Sequence, residues 1–164
     1  MDHTDLYDRH FQFATEKYFG LHFEWKWFKA QGIAESNLEP DATSHCGAKG
    51  IMQIMPDTWG DIAKKIDIRD PFLPEDSIYA GIYYMRYLWN WWKKYDPPET
   101  EQLLICFASY NAGMWNIRKA QRLAVNYKWY GIQGIANSLP EITGENAQET
   151  IAYINRICRI KELL

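Results

Sequence analysis

The sequence predicts a mainly α-helical domain, and three features of the 164-residue chain support this fold class. Apolar residues recur at helical spacing, glycine and proline separate the helical segments, and strand-like alternation is nearly absent. A chain of this length usually forms one domain around one core, so we expect residues 1–164 to be a single domain. The expected fold is therefore all-α, with a small loop or β-hairpin region near residues 44–55.

The first half of the chain contains three predicted helices and a loop. The first helix runs from Leu6 to Phe19 and stops at Gly20, and the second runs from Glu24 to Ser36. The second helix is apolar on several faces, which indicates a buried helix. Residues 37–55 carry proline and glycine before an apolar run, so we expect a loop or a short β-hairpin. Pro56 suits the first turn of a third helix that ends near Lys65.

The second half begins with the longest predicted helix, from Leu73-Pro74 to about Tyr95. An apolar stripe at i+3 and i+4 spacing indicates that this helix is central and that its members are core residues: Ile78, Ile82, Met85, Trp89 and Trp92. Four more helices are expected, at residues 99–112 with Gly113 as the C-terminal cap, and around 115–125, 130–137 and 146–163.

Composition and charge exclude several classes of function. The net charge is −3 with both signs interspersed, so the chain lacks the basic face that nucleic acid requires. No apolar run approaches the roughly 20 residues of a transmembrane helix. Three cysteines without CxxC spacing argue against zinc and redox motifs, and we expect three separate buried thiols, with one disulfide as the alternative. The aromatic content of 16% fits either a core or a sugar-stacking cleft.

Glu35 is the candidate catalytic residue, because it stands at the C-terminal end of the predicted buried helix. A helix C-terminus carries about half a negative charge, which disfavours a carboxylate there. Apolar neighbours add a desolvation penalty in the same direction, so both effects raise the pKa of the carboxyl group. A side chain that stays protonated near neutral pH is what a glycosidic oxygen needs from a general acid. The alternative is a solvated glutamate at a helix end.

Five segments resemble, in order, the sequence motifs of the soluble lytic transglycosylase family. They are AESNLEPDA at 34–42, GAKGIMQIMPDT at 47–58, AGIYYM at 80–85, ASYNAG at 108–113 and ETIAYI at 149–154. Ile51 and Ser109 depart from the usual leucine and alanine. Within the family, the N-terminal helix and Leu139-Pro140 resemble the branch called membrane-bound lytic transglycosylase F. Five motifs in the right order cover most of the chain, so the resemblance is specific.

This resemblance implies a lysozyme-like fold and a reaction on peptidoglycan. Members of the family cleave the β-1,4 bond between N-acetylmuramic acid and N-acetylglucosamine without water and leave 1,6-anhydromuramic acid ends. One glutamate, here Glu35, acts as acid and then as base, and no metal or cofactor is needed. The family's substrate-binding positions correspond to Ser36, Met52, Gln53, Tyr110, Asn111, Glu149 and Tyr153. Ser36 would contact sugar, Met52 and Gln53 would line the cleft, Tyr110 and Asn111 would lie near the acid, and Glu149 and Tyr153 would close the cleft.

Two other functions remain open at this point. The first is a goose-type lysozyme-like hydrolase of peptidoglycan or chitin, since those enzymes resemble this fold but add acids in the segment after the glutamate. Residues 46–55 contain no Asp or Glu, which favours the transglycosylase. The second is a non-catalytic peptidoglycan-binding module, against which the intact Glu35, Gln53 and Asn111 argue.

The resemblance also implies a location and a set of partners. We expect a monomer that binds peptidoglycan glycan strands in the periplasm or at the cell wall. Residues 1–5 lack the basic and apolar regions of a secretory signal. We therefore expect a removed leader, an excised domain, another export route or a phage-encoded enzyme.

Overall fold

A computed structural model describes residues 5–126 and 131–164 of the chain, and within these residues it is built from α-helices. The helices are α1 (Asp8–Phe19), α2 (Lys26–Ser36), α3 (Pro56–Ala63), α4 (Pro74–Lys93), α5 (Glu99–Ala112), α6 (Met114–Asn126), α7 (Gly131–Ser138), α8 (Pro140–Thr143) and α9 (Asn146–Leu163). The all-α prediction is confirmed for this part of the chain. The short helix α8 was not predicted, and Tyr130, the expected start of α7, lies outside the described residues.

By its internal contacts the chain divides into two compact units. Unit 1 contains the residues up to Arg86 together with Ile157–Leu164, and unit 2 contains Tyr87–Arg156. Each unit is described by itself below. The expectation of a single domain over residues 1–164 stays a prediction.

In unit 1, helix α2 is buried on all sides, as its apolar faces predicted. Every residue from Phe28 to Ala34 is buried. Gly32 allows α1 to approach closely, because a Cβ atom added there would lie 3.0 Å from Cζ of Phe11. The buried Lys29 pairs with Asp8 of α1, so its charge is compensated inside the unit. Helix α2 is therefore held firmly along its whole length.

The segment between α2 and α3, expected as a loop or a β-hairpin, is a loop with isolated antiparallel bridges. Thr43 pairs with Lys49, and Lys49 pairs with Ile54. The tip of the segment closes on itself, since the Ser44 N–H donates to the Ala48 carbonyl (2.9 Å) and the Ala48 N–H donates to Ser44 Oγ (3.0 Å). These short-range bonds form a compact loop in place of a ladder. Pro56 then begins α3 at its first turn, as predicted.

In unit 2, helix α6 packs against α5, α7 and α8. Trp92 of α4 is fully buried, and its indole N–H donates to Ser109 Oγ (2.8 Å). The Ser109 hydroxyl in turn donates to the Ile105 carbonyl (2.8 Å), so the polar atoms of this core cluster are paired.

One residue of the predicted α4 stripe does not lie in the core. Ile78, Ile82, Met85 and Trp92 are buried, but Trp89 is only half-buried, and Leu88 takes the buried position in that turn. The prediction that Trp89 is a core residue was therefore wrong. The physical reason is that different positions around the helix are buried before and after Arg86, where α4 passes into unit 2. Before Arg86 the buried face carries Ile78, Ile82 and Met85, and after it the buried face carries Leu88 and Trp92.

The three cysteines are free thiols, as expected from their spacing. Cys106 is buried as expected, but Cys46 is exposed and Cys158 is half-buried, so the expectation of buried thiols was wrong for these two. Burial raises the pKa of the Cys106 thiol far above its usual range, which keeps this group protonated and unreactive. Among the described helices, none combines the length and the apolarity that a membrane crossing requires.

Candidate active site

Glu35 is the second-last residue of α2, and its side chain is half-buried. The chain reverses directly after the helix, because Asn37 and Leu38 both have left-handed backbone angles, with φ of 59° and 63°. The Asn37 N–H caps the helix by donating to the Ile33 carbonyl (2.9 Å), and the Leu38 side chain is buried. The predicted position of Glu35 at the end of a buried helix is thus what the structure shows. Its catalytic role stays a prediction.

Ser36 connects the end of α2 to the loop that follows. Its hydroxyl donates to the Ile51 carbonyl (2.8 Å), with a longer contact to the Gly32 carbonyl (3.4 Å). A serine hydroxyl has one proton, and that proton is used inside the protein. Toward a sugar, Ser36 therefore acts as an acceptor in this conformation. The same bond fixes the distance between the residue next to Glu35 and the 51–53 segment.

Gln53 lies in this segment with a left-handed backbone (φ 46°) and a half-buried side chain. Its amide nitrogen donates to the Gly50 carbonyl (2.9 Å) and to the Ala42 carbonyl (3.2 Å). Both amide protons are therefore engaged, and the oxygen Oε1 is the atom with capacity for a ligand. The sequence predicted this residue as a binder, and the structure adds that it would bind as an acceptor.

Met52 is fully buried, so its side chain is part of the core of unit 1. Its backbone N–H donates to Ser77 Oγ (3.1 Å) on α4. Its side chain packs on Gly81, where an added Cβ atom would lie 2.6 Å from Met52 Cγ. A ligand cannot touch this side chain without displacing it from the core. The predicted role of Met52 in substrate binding is accordingly limited to its backbone, and its side chain anchors the loop to α4.

In unit 2, Asn111 is exposed near the C-terminal end of α5. The hydroxyl of the buried Thr150 donates to its carbonyl oxygen Oδ1 (2.8 Å). This bond determines which way the amide points, so that the NH₂ group is presented as a donor. Thr150 was part of a recognised motif but was assigned no function from the sequence.

Asn111 and Glu149 line a common pocket of about 190 Å³. The other lining residues come from α5, α6, α8 and α9, and they are Ala112, Asn116, Thr143, Asn146 and Thr150. Glu149 is exposed in the first turn of α9, where a carboxylate also stabilises the helix through its dipole. The pocket thus combines amide groups, hydroxyl groups and one carboxylate.

The two remaining predicted residues are tyrosines of unit 2. Tyr110 is half-buried on α5, and Tyr153 is buried on α9 with 8% of its surface exposed. The eight candidates therefore fall into two sets, Glu35, Ser36, Met52 and Gln53 in unit 1 and Tyr110, Asn111, Glu149 and Tyr153 in unit 2.

The first three acids that follow Glu35 in sequence are exposed. Glu39, Asp41 and Asp57 all have solvent-accessible side chains. Asp57 stands in the first turn of α3, where it favours the helix dipole. Over residues 5–126 and 131–164, no three His, Cys, Asp or Glu side chains form a group that could hold a metal ion.

Comparison with known proteins gives a consistent set of matches. The family model described as the transglycosylase SLT domain matches residues 12–130. A membrane-bound lytic murein transglycosylase F from Desulfosudis oleivorans is 30% identical over 99% of this chain and 38% of its own length. The protein of the same name from Maricaulis maris is 34% identical over 72% of this chain and 24% of its own length. The chain thus spans well under half of these relatives.

Solved structures of similar fold include two soluble lytic transglycosylases. The 70 kDa enzyme from Escherichia coli has a TM-score of 0.68 and 24% identity, over 94% of this chain and 23% of its own. An inactive variant of the enzyme Slt from Pseudomonas aeruginosa has a TM-score of 0.73 and 22% identity, over 95% of this chain and 23% of its own. The lysozyme-like fold expected from the motifs is confirmed by this likeness.

Proposed function

This chain belongs to the transglycosylase SLT domain family, and from that membership and the geometry around Glu35 we propose that it is a lytic transglycosylase of peptidoglycan. The bond cleaved is the β-1,4 linkage between N-acetylmuramic acid and N-acetylglucosamine. The reaction leaves a 1,6-anhydromuramic acid end and consumes no water.

Glu35 performs both proton transfers in this reaction. It first donates its proton to the glycosidic oxygen, and the bond between that oxygen and C1 of the muramic acid breaks. The developing positive charge at C1 is stabilised by the substrate's own N-acetyl group. The Glu35 carboxylate then removes the proton of the C6 hydroxyl, whose oxygen closes onto C1. Glu35 is protonated again at the end, so the enzyme returns to its starting state.

The observation that carries the proposal is the position of Glu35 at the end of a buried and capped helix. The C-terminal end of α2 and its buried neighbours favour the protonated acid before the reaction. The Ser36–Ile51 hydrogen bond holds the adjacent loop in place. An acid held beside a fixed loop suits this reaction, because Glu35 must donate a proton and then accept one at defined positions.

The absence of an acid between residues 46 and 55 supports an intramolecular nucleophile. Hydrolytic glycosidases use a second carboxylate to attack C1 or to activate water. The C6 hydroxyl is attached to the sugar that reacts, and well-oriented intramolecular groups reach effective molarities on the order of 10⁵ M or more. A second carboxylate is then unnecessary, and we propose that Glu39, Asp41 and Asp57 take no part in the chemistry.

Substrate binding is assigned to the remaining candidates according to their available atoms. Gln53 Oε1 accepts a hydrogen bond from an N-acetyl N–H, because its own amide protons are engaged. The Asn111 NH₂ group donates to a carbonyl or hydroxyl oxygen of the glycan. Ser36 accepts from a sugar hydroxyl, and the Met52 backbone lines the cleft. In unit 2 we propose that Glu149, Tyr110 and Tyr153 also bind the glycan.

The decisive experiment is Glu35→Gln with Glu39→Gln as its matched control. The amide keeps the shape of the side chain but cannot donate and recover a proton, so the general acid–base contribution of about 10²–10⁴-fold should be lost. Clearing of cell-wall suspensions measures the rate, and the melting temperature checks the fold. Glu39→Gln, Asp41→Asn and Asp57→Asn should keep most of the activity. A folded Glu35→Gln protein with near wild-type activity would show that the assignment is wrong.

The products separate this proposal from the alternatives. Mass spectrometry of digested sacculi should give anhydromuramic ends from the wild-type protein. A goose-type lysozyme-like hydrolase of peptidoglycan or chitin would produce reducing ends, and one of the three other acids would then be as essential as Glu35. A non-catalytic peptidoglycan-binding module would bind sacculi and leave them intact.

We also propose a location and an assembly state for the protein. Peptidoglycan glycan strands are the proposed partner, so the enzyme works in the periplasm or facing the cell wall, as a monomer. Light scattering of the purified chain checks the monomer, and fractionation of cells that produce it checks the location.

A further inference from the structure

An exposed aromatic cluster lies in unit 2 and is separate from the residues discussed so far. Trp115, in the first turn of α6, has 65% of its surface exposed. Its ring meets that of Trp91 of α4 at 5.6 Å between centroids and 81° between planes. Trp91 also contacts Tyr95, at 5.1 Å. Two indoles at nearly right angles form a corner that is open to solvent on the Trp115 side.

This corner is rigid because it is built on the core. Trp91 packs edge-to-face on the fully buried Trp92, at 5.0 Å and 80°. Trp92 is itself fixed by its hydrogen bond to Ser109. A rigid aromatic surface loses little conformational entropy when it binds a ligand, so it is a favourable docking surface. The core does not require Trp115, since most of that ring remains in water.

Cations surround the corner. Lys94 Nζ lies 4.2 Å from the centre of the Trp91 ring, and Arg118 Cζ lies 4.0 Å from the centre of the Tyr95 ring. Burial tends to raise the pKa of Tyr95, but the hydrogen bonds and charges of Arg118 and Lys94 lower it below its ordinary value. The positive charges therefore act directly on this cluster.

The surrounding sequence is basic in a chain whose net charge is negative. Residues 87–95 and helix α6 contain no Asp or Glu, and their cationic residues are Lys93, Lys94, Arg118, Lys119 and Arg122. On α6, Trp115, Arg118, Lys119 and Arg122 are spaced three or four apart and share one face. The whole chain has a net charge of −3. The basic surface is thus a local feature, bordered by the exposed Asp96 next to Tyr95, and its excess of positive charge suits an anionic ligand.

The cluster and the pocket of unit 2 both include a residue from the first turn of α6. Trp115 belongs to the cluster, and Asn116, the next residue, lines the pocket of Asn111 and Glu149.

We propose that Trp91, Tyr95, Trp115, Lys94 and Arg118 form an accessory site for the anionic glycan strand of peptidoglycan. The apolar C–H face of a sugar ring stacks on Trp115, whose ring face is electronegative. Lys94 and Arg118 pair with carboxylates of the strand's lactyl and peptide groups. The identity of this glycan rests on the proposed function. A lipid surface is a weaker fit, because the exposed face of α6 alternates one tryptophan with cations and lacks a continuous apolar stripe.

The test is co-sedimentation with purified sacculi in a Glu35→Gln background, so that the polymer stays intact. Trp115→Ala should weaken binding by about five- to tenfold, as expected for the loss of one aromatic contact. Phe13→Ala is the matched control, since Phe13 is 58% exposed on α1 and should leave binding unchanged. Arg118→Gln should weaken binding and reduce its salt dependence, with Lys64→Gln as the exposed control. Amidation of the sacculus carboxylates with carbodiimide should remove the effect of Arg118→Gln.

Three results would overturn the proposal. The first is unchanged sacculus binding by a folded Trp115→Ala protein. The second is an equal loss of sacculus binding in Trp115→Ala and Phe13→Ala. The third is a Trp115→Ala protein that loses binding to anionic phosphatidylglycerol vesicles but keeps its binding to sacculi. Binding is measured without turnover, so this outcome is independent of the proposed activity. Absence of anhydro products from the wild-type protein would refute the activity and leave the binding result standing.

Discussion

The hydroxyl group of Tyr18 is buried on α1, and no described residue forms a hydrogen bond with it. Its ring meets Tyr83 at 5.4 Å and Tyr79 at 6.3 Å, both on α4 within unit 1. Burial, followed by the neighbouring Tyr79 and Tyr83, raises the pKa of Tyr18 to about 12. A buried polar group without a partner costs about 1–3 kcal/mol, so this side chain lowers the stability of the fold.

We predict that Tyr18→Phe increases the free energy of unfolding at pH 8 by about 1 kcal/mol, because the unpaired hydroxyl is removed. The pH dependence follows from the raised pKa. The folded state holds the Tyr18 proton more tightly than the unfolded state, whose pKa is near 10. The contribution of this proton to the free energy of unfolding is present below pH 10 and is lost between pH 10 and 12. Tyr18→Phe should therefore lose less stability than the wild type over that window, in urea unfolding at pH 8, 10 and 11.

Tyr95→Phe is the control for this measurement, because the pKa of Tyr95 is lowered instead of raised. Its removal should make the alkaline loss of stability steeper, which is the opposite sign. If both variants follow the wild-type curve, neither hydroxyl is coupled to folding.

The sequence located the candidate residues but not the side chains that hold them. Glu35 was found because a buried helix and its end are visible in the local pattern. Ser77, which binds the Met52 backbone, is 25 residues away from it, and Thr150, which orients Asn111, is 39 residues away. Such partners are determined by tertiary packing, which one sequence does not reveal. The burial of the Met52 side chain was missed for the same reason.

Helix ends were predictable wherever a glycine or proline enforces them. Gly20 and Gly113 follow α1 and α5 with positive φ angles, and Pro56 and Pro74 begin α3 and α4. The four-residue helix α8 has too few residues for a periodic signal, so it was missed. Of the two forms expected for residues 44–55, the loop is the one observed, because its backbone groups bond within tight turns and leave only isolated bridges.

Two tryptophans of α4 allow a direct test of which face of that helix is buried. We predict that Trp92→Ala costs about 3–5 kcal/mol through the cavity it leaves and the hydrogen-bond donor that Ser109 Oγ loses. Trp89→Ala should cost clearly less, because that ring is only half-buried. Chemical denaturation of both variants measures the difference. Equal costs would contradict the statement that Trp92 lies on the buried face of α4 beyond Arg86 and Trp89 does not.

Gly81 gives a test of how α4 supports the loop beside Glu35. We predict that Gly81→Ala costs about 1–3 kcal/mol, because its Cβ would lie 2.6 Å from Met52 Cγ. In a Met52→Gly background the same substitution should cost much less, since the clashing atoms Cβ, Cγ and Cε of Met52 are gone. Denaturation of the four proteins gives the interaction energy.

Gly60→Ala on α3 is the matched helical control for Gly81→Ala. Nothing lies within 4 Å of its added Cβ, so it should stabilise the protein by about 0.5–1 kcal/mol through helix propensity. A cost for Gly81→Ala that is the same with and without Met52 would exclude the contact as its cause.

The expectation of one cooperative domain can be tested with a thiol as a reporter. Cys106 lies buried in unit 2, so it reacts with a thiol reagent only when that unit opens. Gly50 lies in unit 1 with φ of 74°, and a Cβ atom there would be 1.9 Å from the Pro71 carbonyl oxygen. We predict that Gly50→Ala accelerates labelling of Cys106 at least tenfold, because destabilisation of one part of a cooperative domain lowers the stability of all of it.

The measurement uses a Cys46→Ser, Cys158→Ser background, in which Cys106 is the one remaining cysteine of the sequence. Gly47→Ala is the control, since its position also has a positive φ but open space around the added Cβ. Its effect should be smaller than that of Gly50→Ala. Unchanged labelling in a Gly50→Ala protein that melts earlier would mean that the two units unfold independently.

The closed tip of the loop after α2 has a consequence for protein engineering. Residues 45–47 lie between the paired Ser44 and Ala48, and His45 and Cys46 are exposed. The bonds that fix the end of the loop next to Glu35, from Ser36 to Ile51 and from Gln53 to Ala42 and Gly50, all lie outside this tip. A peptide grafted between Cys46 and Gly47 therefore leaves those bonds in place. The tip is thus a natural insertion point for an affinity sequence that redirects the enzyme to a chosen cell surface.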